Sequence, residues 1–374
     1  MPIPQISVDP VAGARDLHRF VVFPWAIYRD DPNWVPPLIG TTKQMLTPGK
    51  HPFHEHADVA LFLARREGEI VGRIAAIVNH RHNEFHDEKT GFFGFFESVD
   101  DPLVAGALLD RASAWTAERG MDRIRGPASF STNEECALLV DGFDTPPMIL
   151  MPHNPPYYAT LLERNGLAKA KDLLAYFWRQ EDYPEAMKRL AQSIARKQRA
   201  TLRPLDMKQF QQEIARFTRV YNRAWERNWG FVPMTDAEIV HMAKELKPAV
   251  DPDLILFVEK GDETVGFAMG LPDMNRAVRH ANGRLLPFGL LKILWHARRI
   301  SAARVPVLGI LEEHRGQGLD VLLYDRLIEN GARHGIREGE FSWILEDKRA
   351  MRRPLERLGS RVYKTYRFYE KPLG

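Results

Sequence analysis

The chain has 374 residues, enough for two domains with separate cores, and a formal charge of +3 at pH 7. That balance is too mild for a nucleic-acid binder, though it tolerates an anionic membrane surface or a phosphate-bearing ligand. One cysteine, Cys136, excludes an internal disulfide framework, and neither a leader peptide nor an apolar run of ~18 residues is present, so a cytoplasmic chain, soluble or peripheral at the inner membrane, is expected.

Along the chain, residues from about Ala14 to Trp34 carry a helical apolar period (Leu17, Phe20, Val21, Trp25, Ile27) that closes at the Pro-rich DDPNWVPPL. HPFHEH follows, a loop whose histidines lack the spacing of a metal motif, and no metal is expected. Strands are predicted at Val59 to Arg65, Glu69 to Val78 and the aromatic Gly91 to Glu97, then a helix from Leu103 to Arg119 and a strand opening at Arg123. The second half repeats this order. A helix spans Gln209 to Trp225, strands span Leu254 to Glu259 and Thr264 to Leu271, and an alternating strand runs from Glu340 to Leu345.

The repeat has a register. Gly94 and Gly120 are 26 residues apart, as are Gly309 and Gly335, and at that offset Phe95-Phe96-Glu97 falls on Ile310-Leu311-Glu312. Extra residues occur near Thr132 to His153 in the first half and near Arg284 to Arg304 in the second. A duplicated α/β unit accounts for both, with domains at 1–180 and 181–374.

Between the strand Val305 to Leu311 and the helix beginning at Leu319 lies Arg315-Gly316-Gln317-Gly318. The first N–H groups of such a helix have no intrahelical partner, and glycines let an anion approach them. This turn resembles the acyl-CoA pyrophosphate loop of the GCN5-related N-acetyltransferase (GNAT) superfamily, with Asp320 standing where Gly or Ala is usual. Opposite it, the first half has Asp100-Asp101-Pro102-Leu103, which suits no anion. Within the superfamily the chain looks most like a tandem bacterial group that includes acyl-CoA-dependent ceramide synthases; GFFGFFE, GPASFSTNEE, DGFD, NPPYY, NWGFVP and LPDMN carry that impression.

The resemblance implies an α/β fold of two tandem GNAT-like domains, each a mixed, mostly antiparallel sheet flanked by helices. The first would be degenerate, serving as acceptor site or structural partner, and the second would bind acyl-CoA as co-substrate. It implies cofactor contacts at Leu308, Gly309, Ile310, Leu311, Arg315, Gly316, Gln317, Gly318, Leu319 and Asp320. The tyrosine that often serves as acid is replaced by Leu355, so Tyr363, Tyr366 and Tyr369 are substitutes to weigh against plain aromatic packing.

For the chemistry of the acceptor, Glu97, Asn133, Glu134, Asp273 and Glu312 are the catalytic candidates, with Glu340 and Glu346 also considered. Asn154, Tyr157, Asn228, Asn275 and Trp295 are the substrate-binding candidates. Residues 284–304 mix large apolar side chains with Arg284, Lys292, Arg298, Arg299 and Arg304. That pattern fits an interfacial helix on anionic lipid, a lid over an acyl chain, or a core-packed helix. Three functions remain open: long-chain N-acyl transfer to an amine such as a sphingoid base, acetylation of a small amine or protein, and silent acyl-CoA binding.

Overall fold

Proline interrupts the first predicted helix. In the computed structural model, which describes residues 5–374, the helix Gly13–Val22 stops and a single turn, Pro24–Ile27, follows. Pro24 has no N–H to give to the carbonyl of Phe20. The guanidinium of Arg73 donates to that oxygen instead, at 2.8 Å. The helix predicted to reach Trp34 therefore ends at Val22, and the turn after it ends at Ile27.

The chain divides into two compact units. The first comprises Met1–Asp172, with Val278–Lys292 and Thr365–Gly374 added from the second half. Its sheet runs Ile6–Pro10, Ala57–Arg66, Glu69–Asn79, Thr90–Ser98, Arg123–Gly126 and the end of the last strand, Arg361–Pro372. All of these pairs are antiparallel except Thr90–Ser98 with Arg123–Gly126. Period-two positions Phe62, Ile74, Ala76 and Val78 face Val104, Leu108 and Ala112 of the helix Pro102–Ala117. A Cβ on Gly72 would lie 2.6 Å from Leu108, so close packing of helix on sheet requires glycine there. The strand predicted to open at Arg123 breaks at Pro127 and resumes as Ala128–Ser129, paired with Glu135–Cys136.

The second unit comprises Leu173–Ala277 and Ile293–Lys364. Its strands follow the order Ala168–Arg179, Glu338–Leu345, Ala302–Ile310, Glu263–Pro272, Ile255–Lys260 and Thr201–Pro204. Again one pair is parallel, Ala302–Ile310 with Glu338–Leu345. Helices Glu185–Gln198 and Leu319–Arg333 cover one face over Leu256, Val258 and Val265. Helix Phe210–Trp225 covers the other, with Phe217 4.5 Å from Phe267. Both units thus share one element order and one parallel pair in the same place, which is the duplication read from the glycine spacing.

In the first unit, His82 lies buried against Phe92. Burial, then the neighbouring His86, push its pKa down to about 4, against the opposing pull of Glu88. The unfolded chain binds that proton near pH 6.5, so between about 6.5 and 4 it holds more protons than the folded one. Stability should therefore fall across that window on acidification, by on the order of 2–3 kcal/mol from this group. His82→Gln should flatten the fall in Tm between those pH values; an unchanged slope would remove His82 as its source.

Candidate functional site

The strand Ala302–Ile310 supplies the main-chain half of the site. Its parallel pairing with Glu338–Leu345 covers only Ala302↔Glu338 to Val305↔Phe341. Beyond Val305 it keeps its antiparallel partner, Met269↔Val307 through Gly266↔Ile310, while the parallel neighbour diverges. The main chain of residues 306–310 is thus left open along one edge. Gly309 is required on the other side, where an added Cβ would meet the Trp225 ring at 2.2 Å.

The loop Arg315–Gly318 follows this edge. Gly316 and Gly318 both have positive φ, 73° and 80°. Gly318 stands at the helix N-cap, with Leu322 N–H donating to its carbonyl at 3.2 Å. Among the described residues, the N–H groups of Gly316, Gln317, Gly318 and Leu319 donate to no protein oxygen. A diphosphate finds donors there, reinforced by the positive end of the helix dipole. Arg315 is engaged by main-chain carbonyls. Its Nε donates to the Ile310 carbonyl at 3.1 Å and its Nη2 to the Ala224 carbonyl at 2.8 Å, so it pins the loop to the strand and the helix Phe210–Trp225. Gln317 receives Lys260 Nζ. Burial pushes the pKa of Asp320 up, opposed by the backbone N–H groups of Val321 and of Asp320 itself.

Where the open edge begins, a buried polar cluster crosses the sheet. Arg304 Nε donates to Ser342 Oγ at 2.8 Å and lies 3.5 Å from Glu340 Oε1. Ser342 Oγ donates to that same Oε1 at 2.5 Å, and the Tyr363 hydroxyl donates to Glu340 Oε2. Glu340 and Arg304 are 0% and 2% exposed, while Tyr363 is partly exposed. A buried carboxylate tied to a reachable phenol can pass a proton outward. Glu340 and Tyr363 are among the residues the sequence singles out; that Arg304 and Ser342 join them is visible only in the fold, where the strands carrying them are neighbours.

The remaining second-unit candidates are dispersed. Glu312 is exposed and held by Arg227 Nη1 at 3.0 Å. Asp273 is buried, its N–H bonded to the Ala302 carbonyl and its carboxylate 3.3 Å from Arg276 Nε; Asn275 opens the next helical turn. Asn228 closes the helix Phe210–Trp225 through its N–H, and Trp295 is largely exposed.

In the first unit the corresponding features are filled by the protein itself. Asp101 caps the helix at Leu103 N–H, 2.8 Å, and pairs with Arg66 at 2.5 Å, leaving no vacancy for an anion. The N–H of Phe95, the counterpart of Ile310, donates to Ser129 Oγ at 3.0 Å. Phe130 then stacks on Phe53 at 4.7 Å and meets Phe95 at 5.5 Å, closing the place where the other copy is open. Glu134 accepts from Phe130 N–H at 2.7 Å and lies 3.3 Å from His51 Nε2, while Asn133 N–H donates to Ser131 Oγ. Asn154 is engaged on both edges of Leu139, and the Tyr157 hydroxyl donates to the Ser98 carbonyl. Glu97 is buried, accepting from Tyr158 at 2.6 Å and Tyr28 at 2.9 Å, with Arg73 at 3.4 Å. Burial raises its pKa, and Arg73 foremost opposes that.

Comparison with known proteins agrees with this architecture. No family model matches the chain. Among solved structures, a tandem GNAT protein from the clavulanic acid biosynthesis pathway superposes with a TM-score of 0.60 at 12% identity, covering 99% of each chain. A GCN5-related N-acetyltransferase from Sphaerobacter thermophilus gives 0.55 at 13% identity, covering 98% of this chain and 96% of its own. In sequence, Protein YghO of Escherichia coli K12 is 38% identical over 377 residues, 99% of this chain and 96% of that protein. The bacterial ceramide synthase of Caulobacter vibrioides is 39% identical over 378 residues, covering 99% and 98%. The chain belongs to the tandem GNAT group that includes the bacterial ceramide synthase.

Proposed function

We propose that this protein is an N-acyltransferase that moves a fatty acyl group from acyl-CoA to the amine of a sphingoid base. The observation that carries the reading is the end-to-end similarity, at 39% identity, to a bacterial ceramide synthase. The geometry supports it. Residues 181–374 would hold the coenzyme, with its diphosphate on the free amides of Gly316 to Leu319 and its thioester along Leu308 to Leu311. Residues 1–180 would have lost that role and would frame the acceptor, Asn133 and Glu134 facing it, with Asn154 and Tyr157 as positioning residues. Tyr363 would move protons at the reacting centre, backed by Glu340.

An apolar cavity of about 80 Å³ on the sheet face beneath Met269 adds a place for an alkyl chain, lined by Phe210, Ile214, Phe217, Met242 and Met269. Methionines let such a wall adapt to its contents. Its small volume favours a second reading, transfer of a short acyl group. No helix among the described residues is long and apolar enough to cross a membrane. A lipid amine would then be met at a surface, here the cytoplasmic face of the inner membrane.

The test is incubation with sphinganine and, separately, acetyl-, octanoyl- and palmitoyl-CoA, measuring free thiol and amide by mass spectrometry. Amide formation with palmitoyl-CoA is expected. Turnover with acetyl-CoA alone would select the second reading, and coenzyme binding without turnover would leave a silent binding protein.

A further inference from the structure

The segment between Arg284 and Trp295 exposes more apolar surface than any other stretch of the described chain. Leu286 is 80% exposed, Phe288 65%, Leu291 63% and Trp295 58%, with Leu285, Leu290 and Leu294 above 40%. Burying each such side chain is worth roughly 1.5–3 kcal/mol, so seven on one turn-and-helix mark a surface meant to be covered. The helix Gly289–Ala297 has only Ile293 and Gly289 inward. No aspartate or glutamate occurs between Asp273 and Glu312. Arg284, Lys292 and Arg298 are exposed, and none of them makes an ion pair.

Beside this segment, in the first unit, lies an open pocket of about 590 Å³. Its wall includes His18, Arg29, Arg284 and the Trp25 ring. Trp25 is fixed by donating to Asn282 Oδ1 at 2.8 Å, and Gly283, at φ +76°, lets the chain pass close against its ring. Neither Arg29 nor Arg284 has a hydrogen-bond or ion-pair partner for its guanidinium. Two unpaired guanidinium groups and an imidazole at one mouth form a receptor for a phosphate oxygen.

We propose that the apolar side chains of residues 285–291, together with the pocket of His18, Arg29 and Arg284 in the same unit, dock the protein on a bilayer leaflet of anionic phospholipid. The apolar side chains enter the acyl boundary while the pocket takes a phosphate-bearing headgroup. Charge decides between this occupant and a second copy of the chain. A two-fold dimer through this surface would set like-charged arginines against each other, whereas an anionic leaflet supplies both the apolar layer and the counter-charge. The inference deepens the lipid-surface part of the proposed function and rests on it only for the reason the enzyme needs a surface.

Co-sedimentation of the full chain with vesicles, in the absence of acyl-CoA and amine, tests docking separately from amide formation. Phosphatidylcholine vesicles are compared with vesicles containing one part phosphatidylglycerol in four. Binding to the anionic vesicles should be at least about 10-fold tighter, and should weaken with salt. Arg29→Glu with Arg284→Glu should remove that preference, and Leu286→Glu with Phe288→Glu should remove binding to either vesicle. Both variants should keep their Tm and their rate of thiol release with a detergent-dispersed amine. Equal binding to both vesicle types, or none, would overturn the proposal. So would a dimer in solution that Leu286→Glu with Phe288→Glu converts to monomer. A wild-type chain that forms amide but binds neither vesicle would overturn only the docking surface, and a wild-type chain that binds the anionic vesicles but forms no amide would overturn only the assigned reaction.

Discussion

Tyr363→Phe should lower kcat by about 10²–10⁴-fold while leaving KM for acyl-CoA nearly unchanged. The hydroxyl it removes is the partly exposed end of the Arg304–Glu340–Ser342–Tyr363 cluster. The expected contacts of the diphosphate are the main-chain amides of Gly316 to Leu319, which the substitution leaves in place, so binding should survive. Glu340→Gln should give a comparable loss of rate, but less cleanly. It leaves Arg304, 2% exposed, without a full counter-charge, and breaking a buried pair costs about 3–5 kcal/mol of stability. The two effects separate in the pH profile. If the phenol moves the proton, the phenylalanine variant loses one limb of the profile as well as the rate. If the cluster only braces the three strands that carry it, Tm falls in both variants and the profile keeps its shape. A Tyr363→Phe enzyme with wild-type kcat and wild-type pH dependence would sink the assignment, and Glu97, Asp273 and Glu312 would again be the carboxylates to mutate first.

What could be read beforehand depended on how local the signal was. Strand alternation and helical period are local, and the strands Glu69–Asn79, Thr90–Ser98 and Glu263–Pro272 lie within two residues of their expected limits. Glycine spacing carried the duplication because Gly120 and Gly335 both need positive φ after a helix, 79° and 80°. Long-range pairings are another matter. The apolar period continues through Pro24, but the ring stops the helix and leaves the carbonyl of Phe20 to Arg73 from a distant strand. Arg315 looks like a phosphate ligand in any list of residues, but a guanidinium serves carbonyls as readily, and only the fold says which are near. Asn154 is similar: its amide sits between the carbonyl and N–H of Leu139, a use that no motif announces. The Arg304–Glu340 cluster combines strands that are neighbours in space and not in sequence. Nor does the sequence announce that residues 278–292 pack with the first unit, where the Gly283 carbonyl receives Ile39 N–H at 2.9 Å.

Gly318→Glu should weaken acyl-CoA binding by at least about 100-fold, some 2.7 kcal/mol, in a chain that still folds. Three effects act together. The residue has φ +80°, which costs a side-chain-bearing residue about 1–2 kcal/mol. Its Cβ would come within 2.6 Å of Ile194 Cδ1, the flexible end of a side chain that can give way. The new carboxylate would then compete for the unpartnered amides of Gly316 to Leu319, as Asp101 does for Leu103 in the other copy. Gly318→Ala keeps the strain and the contact without the charge, so its loss measures those two alone and should be well under half of the total. The reciprocal change makes the comparison decisive. Asp101→Asn removes the native carboxylate from the first copy, but Pro102 still lacks an N–H and Ser129 still holds the amide of Phe95. It should therefore leave both the affinity and a stoichiometry of one acyl-CoA per chain unchanged in calorimetry. Two coenzymes bound per chain would show that the first copy binds as well, and a Gly318→Glu protein with wild-type affinity beside an Asp101→Asn protein that has lost it would move the binding site to the first copy. The division of labour between the halves would then be reversed.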